Sequence, residues 1–266
     1  MSGDELVISF ISMAVAGLTW ASWYVRPRQV RTLRPAHRPR RLLDFAPIIS
    51  AAALLVVLKT LSAHDVRDDI RYLGLYFLLG AAWVGIAMFC IPLSGVSVRD
   101  DVQERGNASA AWVIAGAMLG ITLCFAGGNI GDGPGWWVVV FSAGLATAGL
   151  FAVWLLLEAL TSVSDTITID RDVAGGVRLG GFLVACGLRL GWAVAGDWVS
   201  AEATLRDFAT KGWLVLVLLA IAVIVERVAR PTPAHPVPSV FASGIVPALI
   251  FLAGSLVQVL RLGIPG

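Results

Sequence analysis

Four polar or soft side chains recur at a nearly constant spacing in a chain that is otherwise strongly apolar. Arg189 follows Cys124 at the same interval at which Cys124 follows Lys59. Gln258 lies close to the next matching place. A charged side chain within an apolar helix marks a functional site, because burying it in a bilayer costs about 2.5–3.5 kcal/mol. We therefore predict that these four residues line a central crevice whose outer half is electropositive and favours anions.

The alternative is that the two cations serve no site. A long basic side chain near the end of a span can extend to the headgroups. Lys59 and Arg189 could also pair with acidic residues at the outer surface, namely Asp65, Asp132 or Asp197. We expect extension to the headgroups for three further charges near the inner ends of spans: Glu158, Arg178 and Glu226.

No arrangement of nucleophile, base or metal ligands accompanies these charges. The sequence has no G-x-S-x-G, H-E-x-x-H, Walker A or C-x-x-C motif. Its three His residues lie far apart in or near loops, and its three Cys residues are widely spaced in apolar runs, where Cys packs as a small apolar side chain. We therefore expect no enzyme, no bound cofactor and no metal site.

The composition places the chain in a membrane. Of its 266 residues, 58% are hydrophobic and only 14% are charged, whereas soluble domains carry about 25% charged residues. The apolar runs are long enough to cross a hydrocarbon core of about 30 Å as helix. The short alternating segments of a membrane β-barrel do not occur in the sequence. The predicted fold class is therefore all-α, a polytopic transmembrane helical bundle of about eight spans.

Basic residues orient these spans. The loops after the odd-numbered spans hold 12 Lys and Arg residues, whereas the loops of the opposite face, with the C-terminal tail, hold five. Basic loops stay in the cytoplasm, so both termini are predicted to lie outside. The predicted spans are Leu6–Val25, Asp44–Ser62, Tyr72–Leu93, Ala108–Gly128, Gly135–Leu160, Ala174–Gly196, Phe208–Val228 and Val240–Leu262.

Seven arginines cluster in the first cytoplasmic loop, whose prolines disfavour regular helix. A basic residue beside an anionic leaflet contributes about 1 kcal/mol of binding, so the cluster is a candidate lipid contact. The alternative is that it only determines topology. Because no aromatic residues are interleaved, we expect no nucleic-acid partner. The cluster consists of Arg26, Arg28, Arg31, Arg34, Arg38, Arg40 and Arg41.

The stretch Asp101–Asp132 recurs further along the chain as Asp170–Trp198. Each copy passes from polar residues through a small-residue span into a Gly-rich turn. A fixed period, here about 65 residues, is the signature of a structural repeat, and the even-numbered spans start at about the same interval. We therefore predict four parallel helix hairpins. The chain divides into two spans with the basic loop at 1–71, a four-span core at 72–198 and two further spans at 199–266.

Small residues fill the repeated spans. Apolar helices gain no hydrophobic drive from meeting in lipid, so they associate through faces on which Gly and Ala allow close packing. This packing serves the chain itself or, alternatively, a homo-oligomer. The predicted packing glycines are Gly116, Gly120, Gly176, Gly180 and Gly181.

A polar residue opens each of the two central repeats. Asn107 begins the fourth span and Asp172 begins the sixth. Either side chain can accept hydrogen bonds from the free backbone N–H groups of a helix N-terminus. Their alternative role is as polar ligands in a cytoplasmic vestibule.

The segment from residue 72 to residue 198 resembles the bacterial membrane family catalogued as domain of unknown function 350. The recognisable element of that family is a polar segment that ends in Asn-x-Ala-Ala and runs into a Gly-rich span. The resemblance implies an integral protein of the bacterial inner membrane without established activity. The second copy departs from the pattern, since it has Asp where the first has Asn. The matching residues are Glu104, Asn107, Ala108, Ala110 and Ala111 in the first copy and Asp172, Ala174, Gly175 and Gly176 in the second.

Two functions remain open on the sequence. One is a small transporter or channel with a site between the repeat hairpins, which polar residues at one depth suggest. The other is a non-transporting scaffold or structural protein that engages lipid or a partner through its basic cytoplasmic loop. The lipid bilayer is the partner expected in both cases, a homo-oligomer is left open, and the sequence identifies no protein partner.

Overall fold

The computed structural model describes residues 1–31, 40–234 and 237–263. In these ranges the backbone forms helices joined by short turns, and isolated bridges join Ser62 to residues 130 and 131. The fold class is all-α, as predicted. The fold is all-α because each long apolar run satisfies the hydrogen bonds of its own backbone N–H and C=O groups by forming a helix.

The helices follow one another with few residues between them. In chain order the α-helices of the described residues are α1 Gly3–Arg31, α2 Arg40–Thr60, α3 His64–Asp68, α4 Ile70–Ala87, α5 Ala108–Gly127, α6 Trp136–Thr161, α7 Val163–Thr168, α8 Val173–Ala193, α9 Ala201–Gly212, α10 Val215–Ala229 and α11 Val246–Leu262. A 3₁₀ segment follows α4 at Met88–Ser94, a first π segment precedes α5 at Val98–Glu104, and a second π segment precedes α11 at Val240–Ile245.

Eight helical stretches in the described residues are long and apolar enough to cross a membrane. The predicted polytopic bundle of about eight spans is therefore confirmed. The largest difference concerns the seventh span, which begins at Ala201 instead of Phe208. The reason is that α9, capped by the Ser200 side chain, is an amphipathic helix that starts before the apolar run.

The first helix also runs further than predicted. The prolines of the basic cluster were expected to exclude helix, but α1 continues through Pro27 to Arg31. Proline removes one backbone hydrogen bond, and here the loss falls close to the end of the helix. Of the seven clustered arginines, three lie on α1, namely Arg26, Arg28 and Arg31, and two open α2, namely Arg40 and Arg41. The other two, Arg34 and Arg38, lie outside the described residues.

The small-residue helices pack side by side at the centre of the bundle. Helix α5 lies between α2 and α8, and α8 also packs on α11. Helices α5 and α8 run in the same direction, since Ser109 meets Gly176 near their starts and Gly127 meets Gly191 near their ends. The side chains of this layer supply much of the larger apolar core, including the fully buried Phe182 and Met118.

The interface between α5 and α8, which we call the α5–α8 seam, depends on glycines, which have no side chain. A Cβ added at Gly116 would overlap the backbone of Gly180, and one added at Gly187 would overlap the carbonyl of Gly120. At Gly120 itself a Cβ would lie 2.6 Å from the carbonyl oxygen of Leu183. The helices can therefore approach until their backbones touch, which increases the dispersion contacts that hold helices together in lipid.

Two of the predicted packing glycines complete this arrangement. Gly176 faces Ser109 of α5, and Gly181 faces Ala248 of α11 on the opposite side of α8. A Cβ at either position would overlap its neighbour. All five predicted glycines thus lie at contacts between helices of the same chain.

The seam yields a first prediction. Gly116→Ala should lower the free energy of unfolding by about 1–3 kcal/mol, because the new methyl group meets backbone that must shift. Gly17→Ala is the matched control, since a Cβ at Gly17 meets nothing within 4 Å and Ala favours helix over Gly. Reversible denaturant unfolding of both variants in detergent measures the difference. Equal stability of the two variants would contradict the proposed role of the seam.

Candidate functional site

The side chain of Asn107 closes the N-terminus of α5 and ties it to the next repeat. Its Oδ1 accepts hydrogen bonds from the N–H groups of Ser109 (2.9 Å) and Ala110 (3.2 Å). Its Nδ2 donates to the carbonyl of Ile167 in α7 (2.7 Å). Because Asn107 is buried, these bonds satisfy groups that water does not reach.

Asp172 does the same at the start of α8. Its carboxylate accepts from the N–H groups of Ala174 (3.0 Å) and Gly175 (2.8 Å). Its backbone carbonyl accepts from the Ser109 hydroxyl of α5 (2.5 Å). Asn107 and Asp172 are thus both N-caps, and each cap is cross-linked to the other repeat. Their hydrogen-bonding atoms are already used, which leaves little for a ligand in a vestibule.

The same backbone conformation precedes both caps. Gly106 has φ 64° and Arg171 has φ 54°, so each lies in the left-handed region immediately before its cap. The N–H of each cap donates to the carbonyl six residues earlier, at 2.9 Å and 3.1 Å. Since Gly106 and Arg171 are separated by the same interval as Asn107 and Asp172, these matches support the predicted repeat.

The end of the seam opposite the caps is closed by a further pair of matching positions. The N–H of Asp132 donates to Oδ1 of Asp197 (2.8 Å), and the two residues lie 65 positions apart. Gly131 and Gly196 also have positive φ, 100° and 128°, and a Cβ at Gly131 would overlap Gly196. The two Gly-rich turns therefore meet backbone to backbone.

The residues predicted to line a crevice lie in different surroundings. Lys59 is exposed, and its Nζ donates to the carbonyl of Arg67 (2.8 Å). Cys124 is fully buried in the α5–α8 seam, with Sγ 3.8 Å from the carbonyl oxygen of Gly187. Gln258 on α11 is partly buried, and its Oε1 has no hydrogen-bond partner among the described residues. Among the described residues, no hydrogen bond joins one of these side chains to another.

Arg189 is the most unusual of the four. Its side chain is fully buried, with the guanidinium 4.6 Å from the ring centre of Trp192. Its Nη2 donates to the carbonyl of Lys211 (2.5 Å), whereas Nε and Nη1 have no partner in the described part of the chain. A buried cation with two unused donors is costly, so this position keeps the capacity to bind an anion.

Three cavities are lined by described residues. One, of about 540 Å³, lies between α1 and the segments that follow α4. A polar pocket of about 50 Å³ lies at the turn 128–135, and an apolar groove of about 260 Å³ follows α2, α5 and α8. The predicted crevice corresponds to none of the three, since none is lined by a residue of the predicted set: Lys59, Cys124, Arg189 and Gln258.

A buried ion pair is the polar feature that sequence reasoning missed. Nε and Nη2 of Arg178 donate to the two carboxylate oxygens of Glu226, both at 2.7 Å, and Nη1 donates to the carbonyl of Ser243 (2.5 Å). The side chains are only 1% and 2% exposed. The expectation that both extend to the headgroups was wrong, because each finds its counter-ion inside the bundle. The sequence signal that could have indicated this pair is the presence of opposite charges at matching depths in the sixth and seventh spans.

Glu158 departs from the same expectation. Its carboxylate accepts hydrogen bonds from the backbone N–H (2.8 Å) and the hydroxyl (2.7 Å) of Ser164 at the start of α7. The side chain therefore folds onto the next short helix, where the free N–H groups favour an anion.

Removal of one member of the ion pair tests its energetic role. Arg178→Leu or Glu226→Leu should each lower the free energy of unfolding by about 3–5 kcal/mol, because an unpaired charge stays buried. The double variant should lose much less. Arg206→Leu is the control, since Arg206 and Glu202 form an exposed pair (3.2 Å) whose loss costs about 1 kcal/mol at most. Additive losses in the double variant, measured by denaturant unfolding, would contradict the pairing.

The matching backbone before the two caps gives another prediction. Arg171→Gly should raise the free energy of unfolding by about 0.5–1 kcal/mol, since a left-handed conformation strains any residue with a Cβ. Gly106→Ala should lower it by a similar amount. The same unfolding measurement applies, and opposite signs for the two variants are the expected result. A loss of stability in both would show that the side chain of Arg171 matters more than its backbone.

The comparison with known proteins rests on one family. Residues 63–194 match the family model described as Domain of Unknown Function (DUF350), a range close to the predicted 72–198 core that contains both N-caps. No curated protein and no solved structure matches the chain. Through this match, residues 63–194 of this membrane protein belong to the DUF350 family.

Proposed function

We propose that the protein is a non-enzymatic scaffold of the bacterial inner membrane, which passes no solute through its own bundle. The observation that carries this proposal is the closed α5–α8 seam. The two helices touch from Ser109 and Gly176 at one end to Gly127 and Gly191 at the other, and the turns that follow them meet at Gly131 and Gly196. Such a seam closes the interface between the two central hairpins.

A transporter of the predicted kind would need a passage at this seam. Cys124, in the outer half of α5, is fully buried there. The inner end is closed by the cross-linked caps and the outer end by Asp132 and Asp197. Opening the seam would break these bonds and the backbone contacts that compensate for the missing hydrophobic drive in lipid. This cost favours a permanently packed core.

The proposed scaffold would act through its surfaces. The positive-inside rule orients both termini outward and leaves the basic cluster at residues 26–41 in the cytoplasm. Each basic residue near an anionic leaflet adds about 1 kcal/mol of attraction, so the cluster would hold the cytoplasmic side against anionic lipid or an acidic partner. Homo-oligomer formation through the lipid-facing helices belongs to the same proposal.

Arg189 favours a second candidate, a small anion transporter or channel. Its two unused donors lie buried on the outer half of α8. A conformation in which α9 moves away would expose them to an anion entering from the outer face. This candidate requires water to reach the seam in part of the population, which the scaffold proposal forbids.

Thiol accessibility separates the two candidates. In a background with Cys90, Cys124 and Cys186 replaced by Ala, single Cys residues are placed at positions 59, 124, 189 and 258. A membrane-impermeant thiol reagent is applied to right-side-out vesicles. Val199, which is 80% exposed and lies in a predicted outer loop, is the control position for both reagent and orientation.

The scaffold proposal expects labelling at positions 59 and 199 only. Two results together would favour the transporter over the scaffold. The first is labelling at positions 124 and 258 that an added anion prevents. The second is anion flux in proteoliposomes that Arg189→Met abolishes. Labelling of position 199 from the cytoplasmic side alone would reverse the proposed orientation.

A further inference from the structure

The polar pocket at the turn 128–135 lies at the end of the bundle opposite the caps. Its walls come from α3, α4 and α6, from this turn, and from the segment that follows α8. Its volume is about 50 Å³, whereas organic ligands occupy pockets of about 300–1,000 Å³. A water needs about 10–15 Å³ of such space. The pocket therefore has room for an ion with water, and not for an organic molecule.

Asn129 brings an unsatisfied oxygen to this pocket. The residue lines the pocket and is only 5% exposed. Its Nδ2 donates to the carbonyl of Phe125 near the end of α5 (2.8 Å). This bond assigns the orientation of the amide, because the nitrogen is the donor that a carbonyl requires. Oδ1 has no donor among the described residues. A buried acceptor without a partner is costly, so this oxygen points to a group that the protein does not supply.

The second repeat shows that a helix can end here without an amide. Val194 follows Asn129 by the repeat interval of 65 residues, and it is buried in the wall of the same pocket. Valine has no side-chain polar atom that burial would leave unpaired. The first copy nevertheless has an amide at this position, and its oxygen is unpaired. This difference favours a ligand for the side chain of the first copy.

The charged side chains around the pocket are acidic. Asp65 on α3 and Asp132 in the turn line it, and no described lining residue is Lys, Arg or His. Asp65 uses Oδ1 to accept from the N–H of Val66 (2.9 Å), which does not involve Oδ2. Asp132 contacts Asp197 through its N–H, which does not involve its carboxylate. The ion pairs of the neighbouring segment use other acids, Asp68 with His64 and Asp69 with Arg71.

We propose that this pocket binds a calcium ion through Asn129 Oδ1, the carboxylates of Asp65 and Asp132, and backbone carbonyls of the turn. Ca²⁺ takes about six to eight oxygen ligands in flexible geometry and accepts amide, carboxylate, carbonyl and water oxygens together. Mg²⁺ requires a rigid octahedron and keeps its waters, so it fits this mixed set less well. A bound Ca²⁺ would tie α3 to the turn that follows α5. The proposal does not depend on the scaffold proposal.

The ligand set predicts a modest affinity. The described residues contain no group of three His, Cys, Asp or Glu that could hold a metal, so neutral oxygens must complete the site. The expected Kd is about 0.1–1 mM, the range of extracellular calcium modules. The positive-inside rule orients this end of the bundle outward. The expectation of no metal site came from Cys and His motifs, which a site made of oxygen ligands does not need.

Terbium luminescence of the full-length protein in an uncharged detergent tests the site. Tb³⁺ replaces Ca²⁺ and emits when a nearby indole transfers energy to it. Trp198 lines the pocket, and its ring lies 5.1 Å from that of Trp137. Ca²⁺ should displace Tb³⁺ with a Kd of about 0.1–1 mM, and Mg²⁺ at the same concentration should not. The melting temperature should rise over the same Ca²⁺ range, because the folded state alone holds the site.

Two matching aspartates supply the decisive variant and its control. Asp132→Asn and Asp197→Asn each remove one charge at the same position of the two repeats, but only Asp132 lines the pocket. Asn at position 197 keeps an oxygen for the Asp132 N–H. Asp132→Asn should raise the Kd for Ca²⁺ at least about tenfold, since even an outer-shell partner has an effect of this size. Asp197→Asn should leave it unchanged. Asn129→Val, which copies the second repeat, should weaken binding as Asp132→Asn does.

Three results would overturn the proposal. The first is the absence of both terbium emission and a melting shift up to about 10 mM Ca²⁺, tenfold above the expected range; a bridging water then satisfies Asn129. The second is equal weakening by Asp132→Asn and Asp197→Asn, the result of diffuse attraction to an acidic surface. The third is unchanged binding in Asn129→Val. For an Asn129→Val variant that does not fold, Asp65→Asn against Asp68→Asn decides, since both residues are exposed on α3 and only Asp65 lines the pocket.

Discussion

Backbone contact between two parallel glycine-rich helices is the constraint on which the rest of this structure depends. In water, apolar side chains alone would drive α5 and α8 together, but in lipid that drive is missing. The helices must instead gain dispersion energy from closeness, and closeness requires Gly at positions such as Gly116 and Gly180. The two N-caps at one end of the helices, and the two Gly-rich turns at the other end, are then held at a fixed distance from each other. The cross-links of Asn107 and Asp172 follow from that distance.

The sequence predicted the parts of the fold that depend on one helix at a time. Run length and hydropathy indicated eight spans, because each span must satisfy its own backbone in lipid. Side-chain chemistry indicated the residues that cap α5 and α8. The continuation of α1 through Pro27 was not predicted, since proline is a general signal against helix and the local balance near a helix end decides the outcome.

Features that depend on two neighbouring helices were harder to predict. The repeat interval gives the depth of Lys59 and Arg189 but not the direction that either side chain faces. Lys59 is exposed, whereas Arg189 lies buried beneath α9. The bond between Arg178 and Glu226 likewise depends on how the sixth and seventh spans pack laterally, which hydropathy does not specify. A candidate site made of such pairs therefore needs coordinates.

A comparison of the two central hairpins distinguishes the residues that both copies share from the residues that occur in one copy only. The short helical turns before α5 and α8 begin after matching serines, Ser97 and Ser162, and lead to matching caps. At the same repeat interval, however, two charged residues of the first turn have neutral counterparts: Arg99 corresponds to Ser164 and Glu104 to Ile169. The cavity of about 540 Å³ is lined by the first of these turns and by no residue of the second. The shared serines and caps therefore belong to the fold of both copies, whereas the two charges distinguish the first copy, on the side of the bundle where that cavity lies.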